Sequence, residues 1–304
     1  MNADLHNYMT VGIVHFMAFP ETMRGEGPIV ETLARIAEDP YFGAVEVTTM
    51  RDEGVRAEAA RLLKTSKLVV GYGAQAVQLS HKLDLNSLDE RRRQEAIERL
   101  KACIDEAAEL GATRLAVLSG PDPGDANRPV AIQALVDSLK ELCAYAARKG
   151  GMGITLETFD RDIDKKALVG PNALAVEISR QVRREYPNFG LMIDLSHLPL
   201  QRETPREALT IARDDLVHAH IGNCVLKDKS HPLYGDLHPR FGIEGGENDV
   251  PEVTEFLRVL LEIGYIGEGK RNIVAFEVRP HFGESSLAVI ANAKRTLNEA
   301  WFRL

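Results

Sequence analysis

Residues 191–197 read Leu-Met-Ile-Asp-Leu-Ser-His, a short apolar run that ends in the carboxylate of Asp194. Three further apolar runs end in the same way, at Glu157, His220 and Glu277. Each run is typical of a buried parallel strand, so each metal-capable side chain should lie where a strand stops. Packing alone seldom puts four such residues in equivalent positions. The pattern therefore predicts a divalent metal site at the mouth of a parallel barrel.

Apolar runs alternate with amphipathic stretches along the chain, which is typical of consecutive βαβ units and a parallel sheet. The helix predicted before Gly111 begins with a capping box of Ser87 and Glu90. We expect a single (β/α)8 TIM barrel in which residues 1–304 form one domain. The predicted strands cover residues 10–18, 43–49, 67–72, 113–118, 153–158, 190–194, 215–221 and 272–278.

The composition is that of an ordinary globular protein, with 44% hydrophobic and 27% charged residues and a net charge of −8. The negative charge argues against nucleic acid as a partner. A signal peptide and a long apolar segment are both lacking, so no membrane partner is expected. The three cysteines are few and widely spaced, as in reduced cytosolic proteins. We expect a cytoplasmic protein that acts on a small molecule; homo-oligomer formation is left open.

One connection, residues 222–249, lacks helical periodicity over its whole length. Long irregular loops in compact domains are usually functional or disordered. Because this loop follows the seventh strand, it should lie on the catalytic face of the barrel. Its Asp236, His238 and Arg240 are therefore candidates for substrate binding. The alternative is a mobile surface loop.

Several histidines are candidates for the same site. His197 follows Asp194 by three residues, so both side chains could face one site just past the strand; the alternative is a helix-capping Asp194 and an ordinary loop histidine. His218 and His220 share one face of their strand, with His220 nearer the mouth. We expect His220 to be a ligand and His218 to be a core histidine. His15, in the first strand, either contacts substrate or is a satisfied core residue.

Two glutamates need a buried partner. Glu157 and Glu277 each follow an apolar strand, and carboxylates are almost never buried unpaired. A metal ion would account for both. The alternative is a pair of ion pairs, Glu157 with Arg161 and Glu277 with Arg279. Glu46, inside the second strand, also either points into the pocket or forms an ion pair.

In order and approximate spacing, Glu157, the pair Asp194 and His197, His220 and Glu277 resemble the xylose isomerase-like barrel superfamily. The resemblance is closest to its sugar-phosphate isomerase and ketose 3-epimerase branch, and it is specific over strands five to eight. It implies that the two Glu, the Asp and His220 bind one divalent ion. Three carboxylates and one imidazole suit Mn²⁺, Mg²⁺ or Co²⁺, with Zn²⁺ as a further option.

The resemblance also implies a reaction. Glu157 and Glu277 would be the acid/base pair, and His197 would contact substrate. The expected enzyme is a divalent-metal-dependent isomerase or epimerase that moves a proton on a small ketose or related polyol through an enediolate. Isomerisation, epimerisation and dehydration are not separated by the sequence, because they differ only in substrate pose.

Two features depart from the epimerase pattern. Those epimerases carry a substrate-binding arginine six residues after the metal histidine, where this chain has Leu226; Arg240 could replace it. The stretch Gly-Asp236-Leu-His238 is similar to the Asp-x-His metal pair of type IV apurinic endonucleases, but the strand-four histidine of that branch is missing at 117–120. A metal-dependent hydrolase and a sugar-acid dehydratase are therefore the alternatives, and a second metal at Asp236 and His238 is left open.

Overall fold

The computed structural model describes Met1 and residues 3–304 of the chain. All eight predicted strands are present, and they pair in parallel within one sheet. The strands are β1 (Thr10–Ile13), β2 (Ala44–Val47), β3 (Val69–Gly73), β4 (Arg114–Leu118), β5 (Gly153–Glu157), β6 (Phe189–Asp194), β7 (Leu216–Gly222) and β8 (Ile273–Glu277).

The sheet curls into a nearly closed barrel. Its strand order is β1-β8-β7-β6-β5-β4-β3-β2, so β8 bonds to both β7 and β1. At the remaining seam, β1 and β2 meet at a parallel bridge between Val14 and Glu46. The predicted (β/α)8 TIM barrel is thereby confirmed.

Helices follow the strands and cover the outside of the sheet. In α10 the buried residues Val253, Phe256, Leu257 and Leu260 recur three to four apart, which gives one apolar stripe against the strands. Among the described residues, no helix is both long and apolar enough to cross a membrane. The helices are α1 (His15–Ala18), α2 (Ile29–Ala37), α3 (Glu53–Ser66), α4 (Gln75–His81), α5 (Glu90–Glu109), α6 (Arg128–Ala147), α7 (Asn172–Arg183), α8 (His197–Gln201), α9 (Pro205–Ala212), α10 (Val250–Glu262) and α11 (Ser286–Phe302).

The first strand is shorter than predicted. The expected strand covered 10–18, but β1 ends at Ile13 and the chain turns into α1. A short apolar run has no periodicity that separates a buried strand from a buried helical turn. Here the His15 ring bonds to Thr32 of α2, which holds the end of the run against that helix instead of in the sheet.

The start of α5 also differs from the prediction. Its N-cap is Asp89, whose carboxylate accepts the backbone N–H groups of Arg91 and Arg92, so the predicted capping box at Ser87 is wrong. The Ser87 hydroxyl instead accepts the N–H of Asp89 at 3.3 Å. The predicted end is confirmed, since Gly111 has φ +76°, a conformation that glycine adopts without strain.

The register of the sheet sets the height of the strand ends. Asp194 of β6 pairs with His220 of β7, and Gly222 of β7 pairs with Glu277 of β8. The last residues of these strands therefore lie at one rim of the barrel. A side chain at Gly222 would disturb this rim, because its Cβ would lie 2.6 Å from the backbone oxygen of Glu277.

We predict that Gly222→Ala lowers the free energy of unfolding by about 1–3 kcal/mol, the usual cost of overpacking a tight site. Chemical denaturation measures this difference. Gly267→Ala is the matched control, since the nearest atoms to its added Cβ belong to the Lys270 side chain at 3.6 Å or more. Equal losses in the two variants would mean that the contact at Gly222 is not the cause.

Candidate metal centre and active site

Four strand ends converge at the mouth of the barrel. They carry Glu157 (β5), Asp194 (β6), His220 (β7) and Glu277 (β8), whose ligand atoms all lie within 4.8 Å of one another. His220 Nδ1 lies 2.7 Å from Glu277 Oε2 and 3.8 Å from Glu157 Oε1. Parallel strands present their carboxyl ends at one rim, which explains the convergence. The structure thus brings together the four residues that the sequence nominated as ligands.

The donor set fits a divalent cation. Glu157 Oε1 is buried and has no hydrogen-bond partner among the described residues, while its other oxygen accepts from Gln75 Nε2 at 2.7 Å. An orphaned buried carboxylate oxygen is costly. Two ligands on opposite sides of one ion are about 4 Å apart, close to the spacing seen here. Three carboxylates and one imidazole thus have the geometry and the unmet charge that a bound ion satisfies.

The protonation of Glu157 agrees with this fit. Burial, and after it the nearby negative charge of Glu277, raises the pKa of Glu157 to about 8. A divalent ion at this position favours the ionised form and so opposes both effects. The two alternative ion pairs do not form: Glu277 bonds to His220, and Arg161 donates to the Leu168 carbonyl.

A second group of donors adjoins the first and shares Asp194 with it. Ligand atoms of Asp194, His197 and His238 also lie within 4.8 Å of one another. His197 Nδ1 donates to the Thr158 carbonyl at 2.8 Å, which directs Nε2 toward Asp236 Oδ1 at 3.3 Å. His238 Nδ1 lies 3.5 Å from the same oxygen. The predicted substrate residues His197, Asp236 and His238 are therefore assembled beside the four strand-end donors.

The long loop after β7 supplies two of these side chains. Every residue from 223 to 249 is described, and none is helical. The loop is shaped by two buried amides. Asn223 accepts the N–H of Cys224 and of Asn248, and the Asn248 side chain donates to the carbonyls of Leu195 and Gly222. These bonds tie the loop to the ends of β6 and β7 and hold Asp236 and His238 over the barrel mouth.

A cavity of about 180 Å³ opens onto the centre. Phe16 and Met17 form part of an apolar wall of this cavity. Glu46 also faces the cavity. The cavity wall also contains three polar residues that were not predicted as site residues from the sequence, Gln75, Lys165 and Arg279.

Two of these residues had a signal in the sequence. Arg279 follows Glu277 by two residues, so the period of a strand puts it on the same face. Lys165 lies in a charged stretch after β5, where loops of the catalytic face are expected. Burial lowers the pKa of Lys165, but Asp236 and Asp164 raise it by more, so the pKa lies above its usual value and the ammonium stays charged.

The sequence matches the family described as xylose isomerase-like TIM barrel over residues 33–291. The chain belongs to this family. Curated proteins gave no match to the chain. The family assignment agrees with the order of the strand-end residues from which the resemblance was first drawn.

Solved structures share the fold of this xylose isomerase-like barrel. One is a D-tagatose 3-epimerase-like protein, 18% identical with a TM-score of 0.70, over 97% of this chain and 99% of that chain. Another is the IOLI protein with a bound zinc atom, 19% identical with a TM-score of 0.71, over 96% and 98%. A third is an AP endonuclease, family 2, from Brucella melitensis, 18% identical with a TM-score of 0.66, over 95% and 100%. At these identities the likeness shows the fold alone.

Two predicted substrate residues lie away from the centre in this member of the family. Arg240 is outside the cavity wall, where its Nε donates to Glu284 at 2.9 Å; Arg279 faces the cavity instead. His15 is 2% exposed and its Nε2 lies 2.7 Å from the Thr32 hydroxyl. The structure therefore favours the alternative reading of His15 as a satisfied core histidine and removes the geometric basis for a substrate contact by Arg240.

Glu46 contacts His220, the histidine of the candidate metal set. Its Oε1 lies 2.8 Å from His220 Nε2 and 2.8 Å from His218 Nε2. The prediction that His218 is a hydrogen-bonded core histidine agrees with this contact. With Nε2–H donated to Glu46, the Nδ1 atom of His220 is left to face the other donors. A carboxylate in this position fixes the tautomer and ring orientation of a ligating histidine.

We predict that Glu46→Gln weakens metal binding roughly 10- to 100-fold, as the loss of such an outer partner does. Competition with a chelator measures the dissociation constant. Glu26→Gln is the control, because Glu26 pairs with Arg51 at the surface. Unchanged affinity in Glu46→Gln would show that His220 does not depend on Glu46 for its orientation.

Because His15 is buried, we expect the free energy of unfolding to depend on pH. Burial lowers its pKa to about 3, against an ordinary value of about 6.5. As the pH falls below about 6.5, the unfolded chain takes up a proton at this site and the folded chain does not, so stability is lost down to about pH 3.

Between about pH 7.5 and about pH 5, the wild type should therefore lose about 2 kcal/mol more of its free energy of unfolding than His15→Gln does. Urea denaturation at the two pH values gives both losses. Replacement of the exposed His81 by Gln should leave the profile of the wild type unchanged. Equal losses in wild type and His15→Gln would contradict the assignment of a neutral buried imidazole.

Proposed function

We propose that this chain is a divalent-metal-dependent isomerase or epimerase that acts on a small ketose or related polyol. The observation that carries the proposal is the convergence of Glu157, Asp194, His220 and Glu277 within 4.8 Å at the mouth of the barrel. Two of the three carboxylates in this set, those of Glu157 and Glu277, would act as the bases that proton transfer at a carbon next to a carbonyl requires.

The structural neighbours support this class of reaction. Besides the D-tagatose 3-epimerase-like protein, they include a structure of L-ribulose 3-epimerase and one of D-psicose 3-epimerase in the presence of D-fructose. The bound zinc atom of the IOLI structure supports a metal in a barrel of this shape. Mn²⁺, Mg²⁺ and Co²⁺ suit the oxygen-rich donor set, and Zn²⁺ suits it less closely.

The two glutamates divide the proton transfer between them. Glu157 and Glu277 lie on β5 and β8, with two strands between them, so their carboxylates enter the mouth from different sides of the barrel. One removes a proton from the substrate carbon and the other returns a proton to the opposite face, which inverts that carbon. A bound divalent ion would polarise the carbonyl and lower the pKa of the adjacent C–H group.

The cavity walls hold the substrate. Arg279 and Lys165 present cationic donors to hydroxyl and carbonyl oxygens, and His238 and Asp236 add further polar contacts. Phe16, in the same wall, would pack against the less polar face of a sugar. A substrate contact by Arg279 takes over the role that the sequence had given to Arg240. If an enediolate formed in this cavity lost hydroxide instead of regaining a proton, the outcome would be dehydration of a sugar acid, which stays an alternative.

A metal-dependent phosphoester hydrolase is the second candidate. The observation in its favour is the second donor group of Asp194, His197 and His238, with Asp236 beside it. Hydrolases of this kind use two ions to stabilise the attacking and leaving oxygens. Elemental analysis separates the two functions: about one ion per chain supports the isomerase, and two or three zinc ions support the hydrolase.

We predict that Glu157→Gln and Glu277→Gln each lower turnover of the true ketose by roughly 10²- to 10⁴-fold, the usual contribution of a general acid or base. Glutamine keeps the size and one oxygen but cannot accept the proton. The assay combines product analysis over a panel of ketoses with incorporation of deuterium from solvent. Surface Glu299→Gln, next to Arg303, is the control for the substitution itself.

Two outcomes would change this assignment. Full turnover in metal-loaded Glu157→Gln and Glu277→Gln would rule out both as acid/base residues. Loss of turnover in only one of them would favour single-base isomerisation, in which one carboxylate moves the proton along one face of the substrate.

A further inference from the structure

We propose that the ammonium group of Lys165 takes the position of a second cation beside the metal centre and thereby keeps that centre mononuclear. The inference rests on the proposed function, since it presumes an ion at Glu157, Asp194, His220 and Glu277. It deepens that function, because the number of ions separates proton transfer on a sugar from two-metal hydrolysis.

The second donor group needs a positive charge. Asp236 is almost fully buried, and its Oδ1 lies 3.3 Å from His197 Nε2 and 3.5 Å from His238 Nδ1 without a hydrogen bond among the described residues. A buried carboxylate is strongly destabilising unless positive charge or hydrogen bonds compensate it. These three side chains, with Asp194, have the composition of a metal site, which a cation at this position would stabilise.

Lys165 supplies that cation from the protein itself. Its Nζ lies 2.9 Å from Asp236 Oδ2, on the other side of the carboxylate from the two imidazoles. The Lys165 side chain is only 19% exposed, so water screens this ion pair weakly. A divalent ion bound by Asp236 would lie a few ångströms from the ammonium group and be repelled by it. Because the ammonium group neutralises its charge, the Asp236 carboxylate attracts a metal ion less strongly.

The lysine is held in place by the loop that follows β5. The carboxylate of Asp160 accepts the backbone N–H groups of Ile163, Asp164 and Lys165 at 2.6, 2.8 and 2.8 Å. Asp164 Oδ2 contacts Lys165 Nζ at 3.1 Å and also accepts the backbone N–H of Asp236 at 2.8 Å. The loop after β5 and the long loop after β7 are thus joined at this ion pair. These contacts hold the backbone of Lys165 close to Asp236.

The test is the metal content of wild type and Lys165→Met, each equilibrated with excess Zn²⁺ and passed through a desalting column. Methionine keeps the length of the side chain and removes its charge. We expect about one zinc ion per chain in the wild type and about two in Lys165→Met. An anomalous difference map should show the added ion at Asp194, His197, Asp236 and His238.

Three controls isolate the charge of Lys165. Lys165→Arg keeps the positive charge and should bind one ion. Lys166→Met removes the neighbouring exposed lysine and should also bind one. Combining Lys165→Met with His238→Ala removes a donor of the second group and should return the count to one. Lys165→Gln is the second neutral variant, and it replaces Lys165→Met in the comparison if that protein does not fold by circular dichroism.

The outcomes separate this inference from the function on which it rests. One ion in wild type and in both neutral Lys165 variants would overturn the role of Lys165 and leave the isomerase proposal standing. Two ions in the wild type would overturn it and favour the hydrolase. A wild type that binds no divalent ion would overturn the proposed function together with this inference.

Discussion

Buried negative charge at the barrel mouth is the constraint around which the site is built. Carboxylates are stable in such a place only when a cation or a set of hydrogen bonds compensates each of them. Glu46 is compensated by two imidazoles, and Asp236 by Lys165. Glu157 keeps one oxygen without a partner among the described residues. The carboxylates gathered at this mouth include Glu46, Glu157, Asp194, Asp236 and Glu277.

The charged residues of the site come from two parts of the barrel, the strand ends and the loops that follow β5 and β7. The strand ends of β5 to β8 carry the four donors of the proposed metal site, and the register of the sheet fixes their relative height. The loops after β5 and β7 carry Lys165, Asp236 and His238, which lie beside those donors. Strands are rigid and shared by every member of such a fold, whereas loops vary. Under the functions proposed above, the strand ends would provide the proton-transfer chemistry, and the loop residues would set how many cations accompany it.

If the proposal for Lys165 holds, the choice between the two candidate functions depends on loop residues. An isomerase and a hydrolase on this barrel can use the same strand-end carboxylates, and the fold neighbours include epimerases and an AP endonuclease. In our proposal, the feature that separates the two functions is the charge beside Asp236. A lysine at this position is fixed in geometry and carries one positive charge, whereas a metal ion would bring two and an open coordination position for water.

The sequence by itself determined the eight strands, the barrel and the grouping of Glu157, Asp194, His220 and Glu277. These features follow from local periodicity and from one rule, that parallel strands end at a common rim. Only the tertiary structure decided where side chains beyond the strand ends point. His15 turns toward Thr32, and the cavity takes Arg279 and Lys165 instead of Arg240.

The reason is that loop direction depends on contacts between distant parts of the chain. Lys165 reaches Asp236 because the Asp160 carboxylate folds the loop after β5, and because Asp164 binds the backbone of the loop after β7. Arg240 is drawn outward by Glu284, which follows the eighth strand. No local pattern encodes such pairings, since each is decided by which side chains the closed barrel brings within reach of one another.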